Sequence, residues 1–128
     1  MGLAGPSPDA TITITSNGAP TCAGRTFMVK TAPEPLKFKL AEHPQAFTIH
    51  WQVDTAGYRF APGTHVPQPT PRNSGSPAGE IHTCAAGDDR MNCVNKSKNP
   101  GSWKYTITGL RDKDGCAVPD YDPVIDNE

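Results

Sequence analysis

Four cysteines, Cys22, Cys84, Cys93 and Cys116, are the residues whose type and spacing most restrict the chemistry open to this chain. A zinc site draws pairs of ligands from one tight turn, as in C-x-x-C. The closest pair here, Cys84 and Cys93, has eight residues between its members. His82 and Cys84 lie two apart and would share one face of a strand, the only metal-like placement among them. The spacing favours two disulfides, for which three connectivities exist. The preferred pairing is Cys84–Cys93 with Cys22–Cys116. On the chain-entropy account the short loop contributes about 2.5 kcal/mol and the long one about 4.5 kcal/mol. Disulfides persist outside the cytosol, so the expected setting is secreted, periplasmic or cell-envelope.

Other candidate chemistry is dispersed. His43, His50, His65 and His82 fall on separate segments, with no nucleophile elbow and no H-E-x-x-H. A histidine–carboxylate pair near His50 or His82 is the one route to a small hydrolase. Asp112, Asp114, Asp120, Asp122 and Asp126 crowd the C-terminal stretch. Aligning an EF-hand loop through Gly115 puts Leu110 at its first ligand position and Tyr121 at its bidentate one, so the calcium pattern fails. No metal ligand and no cofactor is assigned. The segment bounded by Cys84 and Cys93 would display Arg90 and Met91 on a constrained loop. Some protease inhibitors present a scissile bond in this way, because preorganisation lowers the cost of binding. Tyr58, Phe60 and Tyr121 could together form an aromatic patch for a carbohydrate or peptide. Asn95-Lys96-Ser97 fits a glycosylation acceptor.

Charge narrows the partners. With 12 basic and 13 acidic residues the chain carries a net charge of −1. Lys96, Lys98 and Lys104 are its nearest approach to a basic patch, so no nucleic-acid partner is expected. No apolar run approaches the ~18 residues of a membrane span. Residues 1–10 are small, Pro-containing and nearly uncharged. They lack the basic and apolar regions of a signal peptide and read as a flexible tether, open to surface attachment, with any export signal already removed.

The elements that must position these groups are strands, because apolar residues recur every second position. Thr11–Thr15, Arg25–Lys30, Leu36–Leu40 and Phe47–Val53 alternate in this way, and Trp51 is the expected centre of the core. The third and fourth of these are expected to form a hairpin, with Lys37 and Lys39 discouraging edge pairing. Glu80–Cys84, Ser102–Leu110 and Tyr121–Ile125 complete the set, and Gly57–Phe60 continues the fourth after a bend. The Pro-rich segment 61–78 cannot be a central strand and is either functional or disordered. With 14 Pro and 12 Gly, short strands alternate with long loops. The expected fold is all-β: an antiparallel, immunoglobulin-like β-sandwich of about seven strands, one domain over 11–128. The expected function is a non-catalytic binding or structural module for a protein or carbohydrate partner. A protease inhibitor acting through the Cys84–Cys93 loop and a histidine–carboxylate hydrolase are the alternatives.

Overall fold

A computed structural model describes residues 7–128. Eleven strands follow in order: β1 (Ala10–Ser16), β2 (Phe27–Ala32), β3 (Leu36–Phe38), β4 (Phe47–Val53), β5 (Arg59–Phe60), β6 (Thr70–Pro71), β7 (Ile81–Gly87), β8 (Arg90–Asn95), β9 (Gly101–Lys104), β10 (Leu110–Arg111) and β11 (Val124–Asn127). Two single 3-10 turns, Cys22–Gly24 and Leu40–Glu42, are the only helical elements among the described residues. The larger sheet has the order β2-β1-β4-β8-β7, the second β3-β11-β9-β6, and β10-β5 form a small pair. Most of the expected tether, residues 1–6, lies outside the described residues. Asp9 is already tied to β4, donating its N–H to the His50 carbonyl at 2.7 Å, and Ala10 is buried.

The fold is mostly β, as expected, but its pairing is mixed rather than antiparallel throughout. β1 lies parallel to β4, and β3 parallel to β11. Alternation reports which face of a strand is buried and carries no information on the direction of its neighbour. The expected hairpin between β3 and β4 does not form. After Phe38 the chain makes the turn at Leu40–Glu42 and changes sheets, while Phe38 accepts from the Glu128 N–H and Leu40 donates to the Glu128 carbonyl, both at 2.8 Å. β3 is an edge strand, with Lys37 on it and Lys39 directly after it. The strand expected over Ser102–Leu110 is broken. Its alternation persists, with Trp103, Tyr105 and Ile107 all buried, but the ladder is interrupted between β9 and β10.

The two larger sheets bury their apolar faces in one core built from Ile12, Ile49, Trp51, Ile81 and Met91 on one side and Leu36, Trp103 and Ile125 on the other. Buried polar side chains are paired apart from Thr31, whose Oγ1 has no hydrogen-bond partner among the described residues. Asn95 of β8 and Asn127 of β11 exchange amide hydrogen bonds at 2.8 and 3.0 Å, joining the sheets. The segment 61–78 is ordered against the second sheet. Its Ser76 Oγ accepts from the Ser102 N–H at 2.8 Å, its Pro77 carbonyl accepts from Trp103 Nε1 at 2.9 Å, and Thr70–Pro71 adds the outermost strand.

Glu80, 2% exposed, anchors the neighbouring loop by accepting from the Lys98 N–H (2.7 Å), the Asn99 N–H (2.9 Å) and Asn99 Nδ2 (3.1 Å). Burial pushes its pKa up, but these three bonds and the charge of Lys96 outweigh burial and hold it below the usual value. Asp112 is lowered in the same way: burial opposes, while the Arg25 guanidinium and the N–H groups of Cys116 and Asp114 prevail. A carboxylate with a lowered folded pKa stabilises the fold above its unfolded pKa, and this is lost as pH falls through the folded value. Glu80→Gln and Asp112→Asn should therefore lower stability at neutral pH and flatten its decline below about pH 4. Urea midpoints measured across that range check this, and an unchanged acid limb in both variants counts against it.

Candidate functional site

The site grows from the way β4 ends. Val53 leaves the sheet donating its N–H to the Asp89 carbonyl at 2.7 Å, so the chain is pinned beside the β7–β8 turn. Asp54 then donates to the Ile12 carbonyl at 3.0 Å, and its carboxylate accepts from Thr13 Oγ1 at 2.9 and 3.1 Å. Thr55 Oγ1 accepts the Ile14 N–H at 2.9 Å. Gly57 turns the chain back with φ of +88°, a conformation that costs a residue with Cβ. Tyr58 follows with its ring edge-on to Phe27 at 6.1 Å, and Phe60 is pinned by donating its N–H to the Asp88 carbonyl at 2.6 Å. The result is a short ridge, residues 54–58, fixed at both ends.

A cleft opens on either side of this ridge. One, of about 430 Å³, is lined by Asp54, Thr55, Arg59, Asp88 and Asp89. The other, of about 360 Å³, is lined by Ser16, Arg25, Asp112, Lys113 and Asp114. Ala56, Gly57 and Tyr58 line both, so the clefts form one continuous surface. Their electrostatics differ. In the second, Arg25 Nη1 bridges Asp112 at 2.7 Å and Asp114 at 2.8 Å while its Nε donates to the Ala19 carbonyl, so the charges neutralise one another. In the first, Asp89 Oδ2 accepts from Gln52 Nε2 at 2.6 Å, and neither Asp54 nor Asp88 forms an ion pair among the described residues. That cleft carries three carboxylates, Asp54, Asp88 and Asp89, against the single guanidinium of Arg59 in its lining, with Tyr58 beside them.

The sequence-derived candidates divide. The cysteines pair as preferred, Cys22 with Cys116 and Cys84 with Cys93. Tyr58 stands on the ridge. Phe60, its near neighbour, is 2% exposed and belongs to the core, and Tyr121 packs half-buried beside Ile107 in another segment. The three aromatics therefore do not form the expected patch. The segment between Cys84 and Cys93 is not the expected surface loop. It is two strands joined by the Asp88-Asp89 turn, and the disulfide staples neighbours across the ladder with Cα atoms 4.1 Å apart. Met91, expected on display, faces inward at 1% exposed, while Arg90 is exposed on β8 between Gln52 and Gly87.

The histidines are equally separate. His43 stacks on Phe47 at 4.0 Å, and His65 is exposed in the Pro-rich segment. His82 Nδ1 lies 2.6 Å from Thr83 Oγ1, where a β-bulge puts Thr83 at φ of +53°. His50 and Arg90 share a third cleft of about 230 Å³ with Pro8 and Asn92, and no carboxylate lines it. Cys84 is consumed in its disulfide and no longer competes as a partner for His82 on a metal. Asp120 and Asp122 accept from Thr108 and Thr106 at 2.7 and 2.8 Å, and no group of three metal-ligating side chains forms among the described residues.

Sequence reasoning missed Asp54, Asp88 and Asp89. A partial signal was present: Met91 and Cys93 alternate with Arg90 and Asn92 after the Asp88-Asp89 pair, although Val94 and Asn95 then reverse the pattern. No protein-family model, curated protein or solved structure matches the chain.

Proposed function

We propose that this chain is a non-catalytic binding module of an oxidising compartment, secreted, periplasmic or at the cell envelope, and that it takes a carbohydrate on the ridge at residues 54–58. The observation that carries this reading is the shared lining of the two clefts by Ala56, Gly57 and Tyr58. A sugar ring packs its C–H groups on the face of an aromatic ring and gives hydroxyl donors to carboxylates, and the cleft is lined by Tyr58 beside Asp54, Asp88 and Asp89. Recognition sites combine an apolar surface with a few fixed polar groups in this manner. The two sheets are read as the layers of an immunoglobulin-like β-sandwich that serves as a rigid support, with recognition placed on its connections. Two disulfides fit such a compartment, and no helix among the described residues is long and apolar enough to cross a membrane.

An inhibitor acting at Arg90 would need the residue after it to be reachable by a protease, and Met91 is held in the core. A hydrolase at His50 would need a carboxylate on its imidazole, and Asp9, the carboxylate bonded to His50, accepts from its backbone N–H at 2.8 Å. The test is binding to an array of soluble glycans. Tyr58→Ala and Asp89→Asn should each weaken the bound glycan at least about tenfold, Asp89→Asn at unchanged melting temperature and Tyr58→Ala at a slightly lower one because its ring packs on Phe27. Full binding by both variants would remove the ridge as the site. A partner protein lost on the same substitutions would keep the site and change the ligand class.

A further inference from the structure

The two larger sheets have four edges, and three of them are blunted. β3 is short and bears Lys37, with Lys39 directly after it. β6 is a two-residue strand that includes Pro71. β7 is kinked by the bulge between His82 and Ala85 and stapled to β8 by Cys84–Cys93. These are the usual devices that stop one sheet from pairing with another. β2 has none of them beyond a single lysine. It runs for six residues, Phe27–Ala32, in unbroken register with β1 and contains no proline. Its other side forms no backbone pairing among the described residues. Met28 on this strand is 63% exposed, the one large hydrophobic side chain so displayed among the described residues.

We infer that β2 is a pairing edge and that its occupant is β2 of a second copy of this chain, antiparallel, about a two-fold axis at Val29. The register follows from face and charge. In a continuous sheet opposed residues share a face, so Met28, Lys30 and Ala32 of one copy must meet the same set in the other. Centring on Lys30 sets two lysines opposite each other, which is destabilising. Centring on Met28 pairs only the first half of the strand. Centring on Val29 uses Phe27 through Thr31, places Phe27 against the partner's Thr31, and lays the aliphatic stem of Lys30 across the partner's Met28, a covering role that long basic side chains fill well. The two lysines are then offset and both keep their charge in water. An interface of this kind is isologous and closes at two copies.

Sedimentation of the oxidised chain over a concentration series tests the inference. The chain should dimerise, and Met28→Lys, which sets a lysine against the partner's Lys30 twice by symmetry, should weaken the dimer about tenfold without changing the melting temperature. Val29→Cys should give a covalent dimer on oxidation, because its thiol meets its own symmetry mate. A chain that stays monomeric into the millimolar range, or a dimer that survives Met28→Lys at full strength, overturns the inference. A Val29→Cys dimer that stays non-covalent overturns the register.

Discussion

Replacing Cys22 and Cys116 together by alanine should lower the unfolding free energy by about 4.5 kcal/mol, nearly twice the loss of about 2.5 kcal/mol expected for Cys84 and Cys93. The first bridge spans 94 residues and the second nine, so the first removes far more freedom from the unfolded chain. Local structure points the same way. Cys22 lies in an exposed 3-10 turn with no buried residue of its own. Besides its disulfide, that turn is held by Arg25 on Asp112 and Asp114 and by Asn17 on Gly24 and Thr26, and of these contacts only the Arg25–Asp112 pair is sheltered from water. Cys84 and Cys93 sit on strands paired along their length, and β8 is held by β4 on its other side as well. Cys93 and Cys116 are both buried, so each double replacement adds a similar small packing loss and the gap stands. Urea unfolding of the two double variants measures both values. A larger loss from the short staple would mean that native packing, and not chain entropy, governs these bridges.

The parts of the fold legible in the sequence are those where side-chain period alone decides the outcome. Ile12 and Ile14, the Phe47–Val53 face, and Trp103, Tyr105 and Ile107 all turn inward as alternation requires. What alternation cannot encode is partnership. Leu36 and Phe38 would fill either sheet equally well, and backbone pairing with β11 at the far end of the chain decides between them. β8 was hidden for another reason. Two cysteines bracketing a polar stretch suggest a stapled loop, and the same chemistry serves a ladder once Cys84 and Cys93 stand opposite each other across a bulge. That bulge puts a β-branched residue, Thr83, at positive φ, a placement no sequence rule favours.

The candidate site was half legible for a related reason. Tyr58 stood out by residue type, but its value depends on carboxylates from two remote connections, 54–55 and 88–89, which the Val53–Asp89 and Phe60–Asp88 backbone bonds bring together. Phe60 points into the core from β5, whereas Tyr58 precedes the strand in the turn at Gly57, so strand alternation does not relate the two side chains. The contribution of the Asp88-Asp89 turn to this cleft is not announced by any residue near Tyr58 in sequence.

The core pair that joins the sheets should answer differently to single and double substitution. Trp51 and Tyr105 are each 1% exposed, and Trp51 Nε1 donates to the Tyr105 hydroxyl at 3.0 Å. Burial pushes the Tyr105 pKa well above that of a free phenol, so the hydroxyl stays protonated throughout the range in which the fold is stable. Trp51→Ala should cost about 3–5 kcal/mol, the usual loss for a large buried aromatic. Tyr105→Phe keeps the ring but leaves the indole N–H buried without an acceptor, which should cost about 1–3 kcal/mol. Trp51→Phe removes the donor and leaves a cavity beside a hydroxyl that has lost its partner. Combining Trp51→Phe with Tyr105→Phe removes both polar groups, so the double variant should lose less than the sum of the singles, by about 1 kcal/mol or more. Urea unfolding of the four-member cycle reads this coupling directly. Strict additivity would mean that the bond between Trp51 and Tyr105 contributes nothing, and that this pair acts through the volume of its rings alone.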